Sequence, residues 1–530
     1  MHSKVQRDRR SWTSLRRLSV ATVAAAALAV ASLGGVVYAY NLDTAGASRQ
    51  QALTLEQVQR VLPAFETYLR DVMERSGLPG LAMGILIDGQ PVLARGYGVR
   101  DTRSGKPVDA DTLFPLASVS KVFAGASVAA LVGEGTVQWD SRVSDLVPDI
   151  RFRDPYVTSE MSLRDLMSQR TGYAAFYGED LEVIFGYSRD EVFRRLRYLP
   201  PATPFRTQYA YSNWNLTLAG EVAARTAHLS WEDLVRSRII TPLGMSQTVV
   251  THEEFLKVDN RSAAHELVNG RAVATDVNPH NAQAPAGGVY STLNDMLRFI
   301  AFEMDEGKYQ GKPIVAEDAM RETQTAQTII NPAFPTLHYG LGLEVRDDRG
   351  RKVLEHNGAF EEGINTRISF MPAQRLGIVI LTNTPPMGVP DALEYKLMTL
   401  LFADRPDEDI WPDLRDKWHE ALTGLLDRPG RLHGTPPAGA GSNIDAKRYV
   451  GRYTHEYYGD IVIEQDATGL RMVAGVSPAL PIEHWQGNTF RVPLLADAAL
   501  NFIPGANQVS DALTLSEIDD IPDALFLRKP

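Results

Sequence analysis

The 530-residue chain contains no cysteine. Disulfides, a cysteine nucleophile and thiolate metal sites are therefore excluded. There is no His-Glu-x-x-His either, and the eleven histidines are scattered, so nothing has the ligand spacing of a zinc hydrolase. No metal and no cofactor is expected. An excess of positive charge is also missing: 54 Lys and Arg face 65 Asp and Glu, a net charge of −11. A nucleic-acid-binding face needs the opposite balance, so nucleic acid is not an expected partner. Repeat arrays are lacking, and low complexity is confined to a Pro/Gly-rich stretch late in the chain and an alanine-rich run close to the N-terminus.

What is present is the composition of an ordinary folded protein, 44% hydrophobic and 22% charged, long enough for two or three domains. Residues 1–17 hold Lys4, Arg7, Arg9, Arg10, Arg16 and Arg17 against a single acid, Asp8. The uncharged residues 18–40 follow and are just long enough, as a helix, to cross a hydrocarbon core of about 30 Å. The basic flank predicts a cytoplasmic N-terminus and export of the rest to a periplasmic or other extracytoplasmic space. Val37-Tyr38-Ala39 also fits a small-residue cleavage site. The segment therefore reads as a removed signal peptide or as an anchor in the inner membrane, and only in the second case is the membrane a partner.

From about residue 54 the pattern is globular. Residues 55–75 repeat their apolar positions at helical spacing, and residues 80–101 read as a hairpin turning at Asp88-Gly89. Helical patterns dominate residues 121–240, and strand-like runs return at 341–345, 364–370 and 376–382. Strands at both ends of a helical middle predict an α+β body over residues 50–427, its terminal strands sharing one antiparallel sheet. Residues 428–443 are rich in Pro and Gly and read as a linker. Residues 444–530 alternate in short runs between turns, which predicts a small antiparallel β-barrel or sandwich.

Three short constellations carry chemistry. Ser118 and Lys121 stand three apart at a predicted helix start, where both side chains share one face and N–H groups favour a developing oxyanion. A lysine amine becomes a base once burial lowers its pKa, so the pair can perform acyl transfer without histidine. Tyr211-Ser212-Asn213 is the only Tyr-x-Asn in the chain. Beside a cationic pair the tyrosine would titrate below about 10 and shuttle a proton, with the Asn213 amide orienting the lysine and the substrate. His356-Asn357-Gly358 follows a strand-like run and can form a cleft edge, with Gly358 allowing close approach and the Ala359 N–H completing an oxyanion hole with that of Ser118. His338-Tyr339-Gly340 has the same spacing but falls one strand too early. Taken singly, each constellation has a plainer reading: a capping serine with a surface lysine, a core tyrosine with a helix-capping asparagine, a structural histidine.

Together, in this order, they resemble the serine β-lactamase-like family: class C β-lactamases, DD-peptidases, D-aminopeptidases and family VIII esterases. The likeness extends to TLFPLASVSKVFAG, MSLRDLMSQRTGY, TPLGMSQT, PAGGVYSTLNDMLRF and GIVILTN, from about residue 55 to 402. It implies a β-lactamase/transpeptidase-like fold, a five-stranded antiparallel sheet flanked by helices plus an all-helical lobe. It also implies a Ser118 nucleophile with Lys121 as proton partner, Tyr211 as general acid/base, Asn213 as orienter and His356 with Gly358 as the cleft wall. Two departures stand out. The third motif begins with His356, where class C β-lactamases carry lysine, and Gln169-Arg170-Thr171-Gly172 replaces the usual His-Thr-Ser-Gly. The histidine is more typical of the peptidase and esterase branches. The C-terminal part, with YVGRYTHEYYGDIVIE, resembles the lipocalin-like barrel appended to some of these hydrolases, as a lid or oligomerisation module that is compatible with a homo-oligomer. The expectation is an exported serine hydrolase of amide or ester bonds, in small molecules or in peptides such as peptidoglycan fragments. The alternatives are a class C-type β-lactamase and a non-catalytic penicillin- or peptidoglycan-binding protein.

Overall fold

The computed structural model describes residues 51–360, 362–426, 430–438, 440 and 444–529. The basic residues 1–17, the uncharged run 18–40 and part of the linker lie outside them. Among the described residues no helix is long and apolar enough to cross a membrane.

Helix α1 (Leu55–Ser76) opens with a reciprocal capping box between Thr54 and Gln57 and closes on Gly77 at φ +69°. The hairpin follows as β1 (Gly80–Ile87) and β2 (Gln90–Asp101). Every residue of β1 is buried, because it lies mid-sheet with helices on both faces. The late strands are β3 (Glu344–Asp348), β4 (Arg351–Phe360), β5 (Ile364–Met371) and β6 (Leu376–Thr382). β6 returns to pair with β1, from Leu81↔Thr382 to Ile87↔Leu376. The expected strand at 341–345 is displaced, since Leu337–Tyr339 and β3 pair around an intervening loop.

The sheet has nine strands, not five. Its order is Thr328–Ile329, Leu337–Tyr339, β3, β4, β5, β6, β1, β2, Lys106–Pro107. The five longest strands, of seven to twelve residues, form its centre, and the additions are short edge strands with too little apolar alternation to be read from sequence.

Two buried helices frame the cleft: α2 (Ser120–Gly133), buried on every face from Ser120 to Leu131, and α3 (Asn213–Thr226), capped by Ser212 Oγ accepting from Trp214 N–H. Helix α4 (Leu293–Met304) covers one face of the sheet, while α1 and α5 (Val389–Phe402) cover the other. Helix α6 (Trp411–Leu426) completes the body.

Beneath the cleft lies a buried ion network. Arg367 on β5 donates to Glu355 at 2.6 Å and Asp391 at 2.9 Å and pairs with Glu394, while Arg346 on β3 donates to Glu355 at 2.8 Å. Arg367 also donates to the Asn357 side chain at 2.6 Å, which ties this network to the third motif.

The Pro/Gly-rich stretch is more than a connector. Arg431 is buried against Glu517, donating from Nε and Nη2 at 3.0 Å each. Beyond it, strands from Gly451–His455 to Phe526–Arg528 form one antiparallel nine-stranded sheet. The edge strands Leu480–Pro481 and Glu483–Gln486 are consecutive in the chain, so the two ends meet and the sheet is a nearly closed barrel. Tyr453, Ile461, Met472, Phe490 and Phe526 are among its buried apolar residues.

Candidate active site

Ser118 lies in a 3-10 turn, Ala117–Val119, that runs directly into α2. Ala117 adopts φ +48°, a left-handed conformation that a residue with a Cβ rarely holds. The neighbouring strand sets that turn: Thr366 Oγ1 on β5 donates to Leu116 O at 2.8 Å.

Lys121 is fully buried on α2, and its Nζ has three partners: Ser118 Oγ at 3.0 Å, Asn213 Oδ1 at 2.6 Å and Ala286 O at 3.0 Å. Burial pushes its pKa well below the usual lysine range, an effect only partly opposed by Glu179. A neutral amine has two N–H groups and one lone pair. Two of its partners, the amide oxygen and the carbonyl, can only accept, so in that neutral form the lone pair would face the Ser118 hydroxyl, whereas the ammonium donates to all three.

Tyr211 packs its ring 4.7 Å from Lys121 Nζ. The expected lowering of its pKa is not what the structure gives: burial raises it above the ordinary phenol range, and its hydrogen bond with Ser118 opposes this only in part. Glu344 and Glu179 push in the same direction as burial. Tyr211 is held as a hydroxyl.

The third motif forms the far wall. β3 pairs with β4 only as far as Glu355, so residues 356–360 are bonded to β5 on one side and, among the described residues, have no strand partner on the other, beside the Ser118 turn. A Cβ on Gly358 would lie 2.2 Å from Leu116 O and 3.1 Å from Ser118 N, so only glycine lets the strand come this close. Ala359 follows, half-buried, on the same edge. His356 is inside rather than at the cleft surface. Its Nδ1 is 2.6 Å from Asn357 O and its Nε2 is 3.2 Å from the Tyr339 hydroxyl. A carbonyl only accepts, so Nδ1 carries the proton and Nε2 accepts from Tyr339. Burial and nearby Lys121 push His356 down to about 3, so it is neutral. The strand edge offers no cation where a lysine would have placed one.

The structure thus gathers Ser118, Lys121, Tyr211, Asn213, His356, Gly358 and Ala359 around one cleft. It adds residues that the sequence did not single out for it. Tyr339, from the His-x-Gly set aside as one strand too early, bonds His356. Glu179, buried at 2% exposure, accepts from Asn213 Nδ2 at 3.0 Å, and burial with the Glu182 carboxylate raises it to about 8. Gln169, in the departure from His-Thr-Ser-Gly, grips the backbone behind Tyr211 from both ends. Its Nε2 donates to Ser212 O at 3.1 Å and its Oε1 accepts from Ser212 N–H at 3.0 Å and Asn215 Nδ2 at 2.7 Å. No sequence pattern marks these contacts, which join residues 17 to 43 or more apart.

Beside Tyr211 opens a cavity of about 380 Å³ whose lining includes Tyr173, Ala175, Ala202, Tyr209 and Ile330 and no charged side chain. Among the described residues, no cluster of three or more His, Asp or Glu side chains could hold a metal ion.

The sequence model of the beta-lactamase family matches residues 65–401, and one described as a domain of unknown function matches residues 435–524. The chain is 26% identical over 502 residues to the Unguisins hydrolase ungD of Aspergillus violaceofuscus (strain CBS 115571), covering 84% of this chain and 86% of that protein. It is 26% identical over 396 residues to a D-aminopeptidase of Cereibacter sphaeroides (strain ATCC 17029 / ATH 2.4.9), covering 71% and 69%. The solved octameric penicillin-binding protein homologue from Pyrococcus abyssi has a similar fold, with a TM-score of 0.58 at 19% identity, covering 88% of this chain and 100% of that one.

Proposed function

The chain belongs to the beta-lactamase family, and on that premise we propose that it is an exported hydrolase of amide or ester bonds working through an acyl-enzyme on Ser118. The family and its hydrolase relatives make it a serine hydrolase. The observation that carries the Ser118 reading is the buried Lys121 Nζ, 3.0 Å from Ser118 Oγ, 2.6 Å from Asn213 Oδ1 and 3.0 Å from Ala286 O.

In this reading Ser118 Oγ bonds to the substrate carbonyl carbon as its proton passes to the Lys121 amine. The N–H groups of Ser118 and Ala359 receive the oxyanion. The carbon–nitrogen or carbon–oxygen bond then breaks as the leaving group takes a proton from the Tyr211 hydroxyl, which the Lys121 ammonium replenishes. Water repeats the sequence on the acyl-enzyme, releasing the acid and restoring Ser118. A tyrosine held as a hydroxyl suits proton donation better than a phenolate would.

The natural substrate is read as a peptide or ester rather than a β-lactam. Two features support this: the neutral, internally bonded His356 at the strand edge, and the uncharged cavity beside Tyr211. The D-aminopeptidase relative leans the same way. Export rests on the basic residues 4–17 ahead of the uncharged run 18–40. Steady-state assays of the wild type and Ser118→Ala on D-amino-acid peptides, short esters and nitrocefin test the proposal. Peptide or ester turnover should vanish in the variant, and wild-type nitrocefin turnover should be slow. Turnover surviving in Ser118→Ala would sink the nucleophile, and nitrocefin outpacing the peptides and esters would make the protein a β-lactamase.

A further inference from the structure

We propose that the C-terminal barrel is a working part of the active site, with Asp520 a positioning residue for Lys121, 399 positions before it in the chain. The inference rests on the Ser118–Lys121 reading above.

It begins with an amide. Asn213 serves Lys121 only if it presents Oδ1, and the two ends of a carboxamide are nearly the same size, so shape alone does not choose. Glu179 makes the choice, because its Oε1 accepts from Asn213 Nδ2 at 3.0 Å. Its other oxygen, Oε2, accepts from Gln283 Nε2 at 2.7 Å. Gln283 is the N-cap position of the short helix Ala284–Gly287, which contains Ala286, whose carbonyl is the second acceptor for Lys121. One carboxyl group therefore touches both of the elements that hold the lysine.

Glu179 itself opens a helix of five residues, Glu179–Val183, too short to be stable on its own. Its neighbours on either side are bonded to the barrel. Gly178 N–H donates to Asp520 Oδ2 at 2.9 Å. Asp180 Oδ2 accepts from Asp519 N–H at 2.7 Å and Asp520 N–H at 3.3 Å. The Tyr457 hydroxyl, also from the barrel, donates to the same Asp520 oxygen at 2.7 Å. Further along, Phe185 stacks on Tyr458 at 5.5 Å between centroids, and its carbonyl accepts from Val476 N–H at 2.9 Å.

The segment has no slack on its other side. Gly178 has φ +84°, and a Cβ there would lie 2.7 Å from the ring of Trp214, the residue after Asn213. Withdrawing the barrel's grip at 178–180 frees Glu179, then the Asn213 amide, then the lysine. This gives the barrel a part in catalysis without contact with substrate.

The test is a double-mutant cycle in the full chain, with turnover per active site counted by acylation and folding checked by circular dichroism. Asp520→Ala should lower kcat on the order of tenfold to a hundredfold, with KM changed far less, because the lysine is misplaced rather than the substrate released. Asp520→Asn, which keeps an oxygen for Gly178 N–H and the Tyr457 hydroxyl, should recover most of the loss. Added to Glu179→Gln, Asp520→Ala should cost little more, since both act on one path. Tyr457→Phe, which removes one hydroxyl only, is the gentler variant if Asp520→Ala does not fold, and it must show the same coupling to Glu179→Gln. Unchanged kcat per active site in the folded barrel variant, or fully additive losses, would overturn the proposal. Ser118→Ala run alongside separates this from a failure of the nucleophile assignment, since that variant is inactive whenever the Ser118 reading holds.

Discussion

At the scale of single residues, burial removes charge from the candidate site. Lys121 is driven towards its neutral amine, Tyr211 is kept as a hydroxyl and His356 as a neutral imidazole, all chiefly by burial. This predicts a pH profile. The proposed mechanism needs unprotonated Lys121, so kcat/KM should rise with pH along a limb whose midpoint lies below the ordinary lysine value of about 10.4. His356, at about 3, should add no inflection near neutrality. Lys121→Arg keeps a cation that does not deprotonate and should lose about 10²- to 10⁴-fold in kcat/KM. The motif residues could be nominated from sequence because the chemistry proposed for them needs fixed residue types at fixed spacing. Their protonation states were not, and Tyr211 shows why: a pKa shift depends on the burial of the whole neighbourhood, which one sequence does not display.

At the scale of elements, the third motif depends on where a strand loses its partner. β4 leaves β3 at Glu355, and that gives residues 356–360 an open edge against the Ser118 turn. The contact is closest at Gly358. In Gly358→Ala the new methyl would meet the Leu116 carbonyl, a backbone atom that cannot swing aside. We expect a stability loss of about 1–3 kcal/mol by denaturant titration, with activity falling by more than stability alone accounts for. The hairpin, α1, β5 and β6 were readable from periodicity to within a residue or so at either end. The short outer strands were not, because two to five residues carry too little period. Glu179 was missed, and Gln169 was marked only as a departure from His-Thr-Ser-Gly, for a different reason. They act through hydrogen bonds to segments 43 and 34 residues away, which no local pattern displays.

For the whole molecule, two assemblies hold the cleft from outside it. Below the third motif is the ion network of Arg346, Arg367, Glu355, Asp391 and Glu394, and behind Glu179 is the barrel. Removing one member of the network leaves buried charge uncompensated, so Arg367→Met should cost about 3–5 kcal/mol in thermal or chemical unfolding. The same side of the sheet sets an acid limit. Burial alone would raise Asp348, but the guanidinium groups of Arg346, Arg405 and Arg351 outweigh it and hold the carboxyl at about 2. A carboxyl depressed in the folded state contributes stability above its unfolded pKa of about 3.9 that is lost as pH falls towards the folded value. Charge reversal or removal at Arg405 should therefore flatten the stability–pH curve between those limits. That the chain would divide into a mixed body and a β-rich end was readable from the change of pattern after residue 443. That the β-rich end would be bonded to the turn behind the lysine was not, since Asp520 and Gly178 are 342 residues apart.

The central claim is that Ser118 becomes acylated, and intact-mass spectrometry of the full chain after brief exposure to a penicillin or an activated ester measures this directly. The account predicts a single added acyl mass, located by peptide mapping to the segment holding Ser118, absent from Ser118→Ala and much slower to appear in Lys121→Arg. An adduct of the same mass that persists in Ser118→Ala, or substrate turnover with no dependence on Ser118 at all, would contradict it.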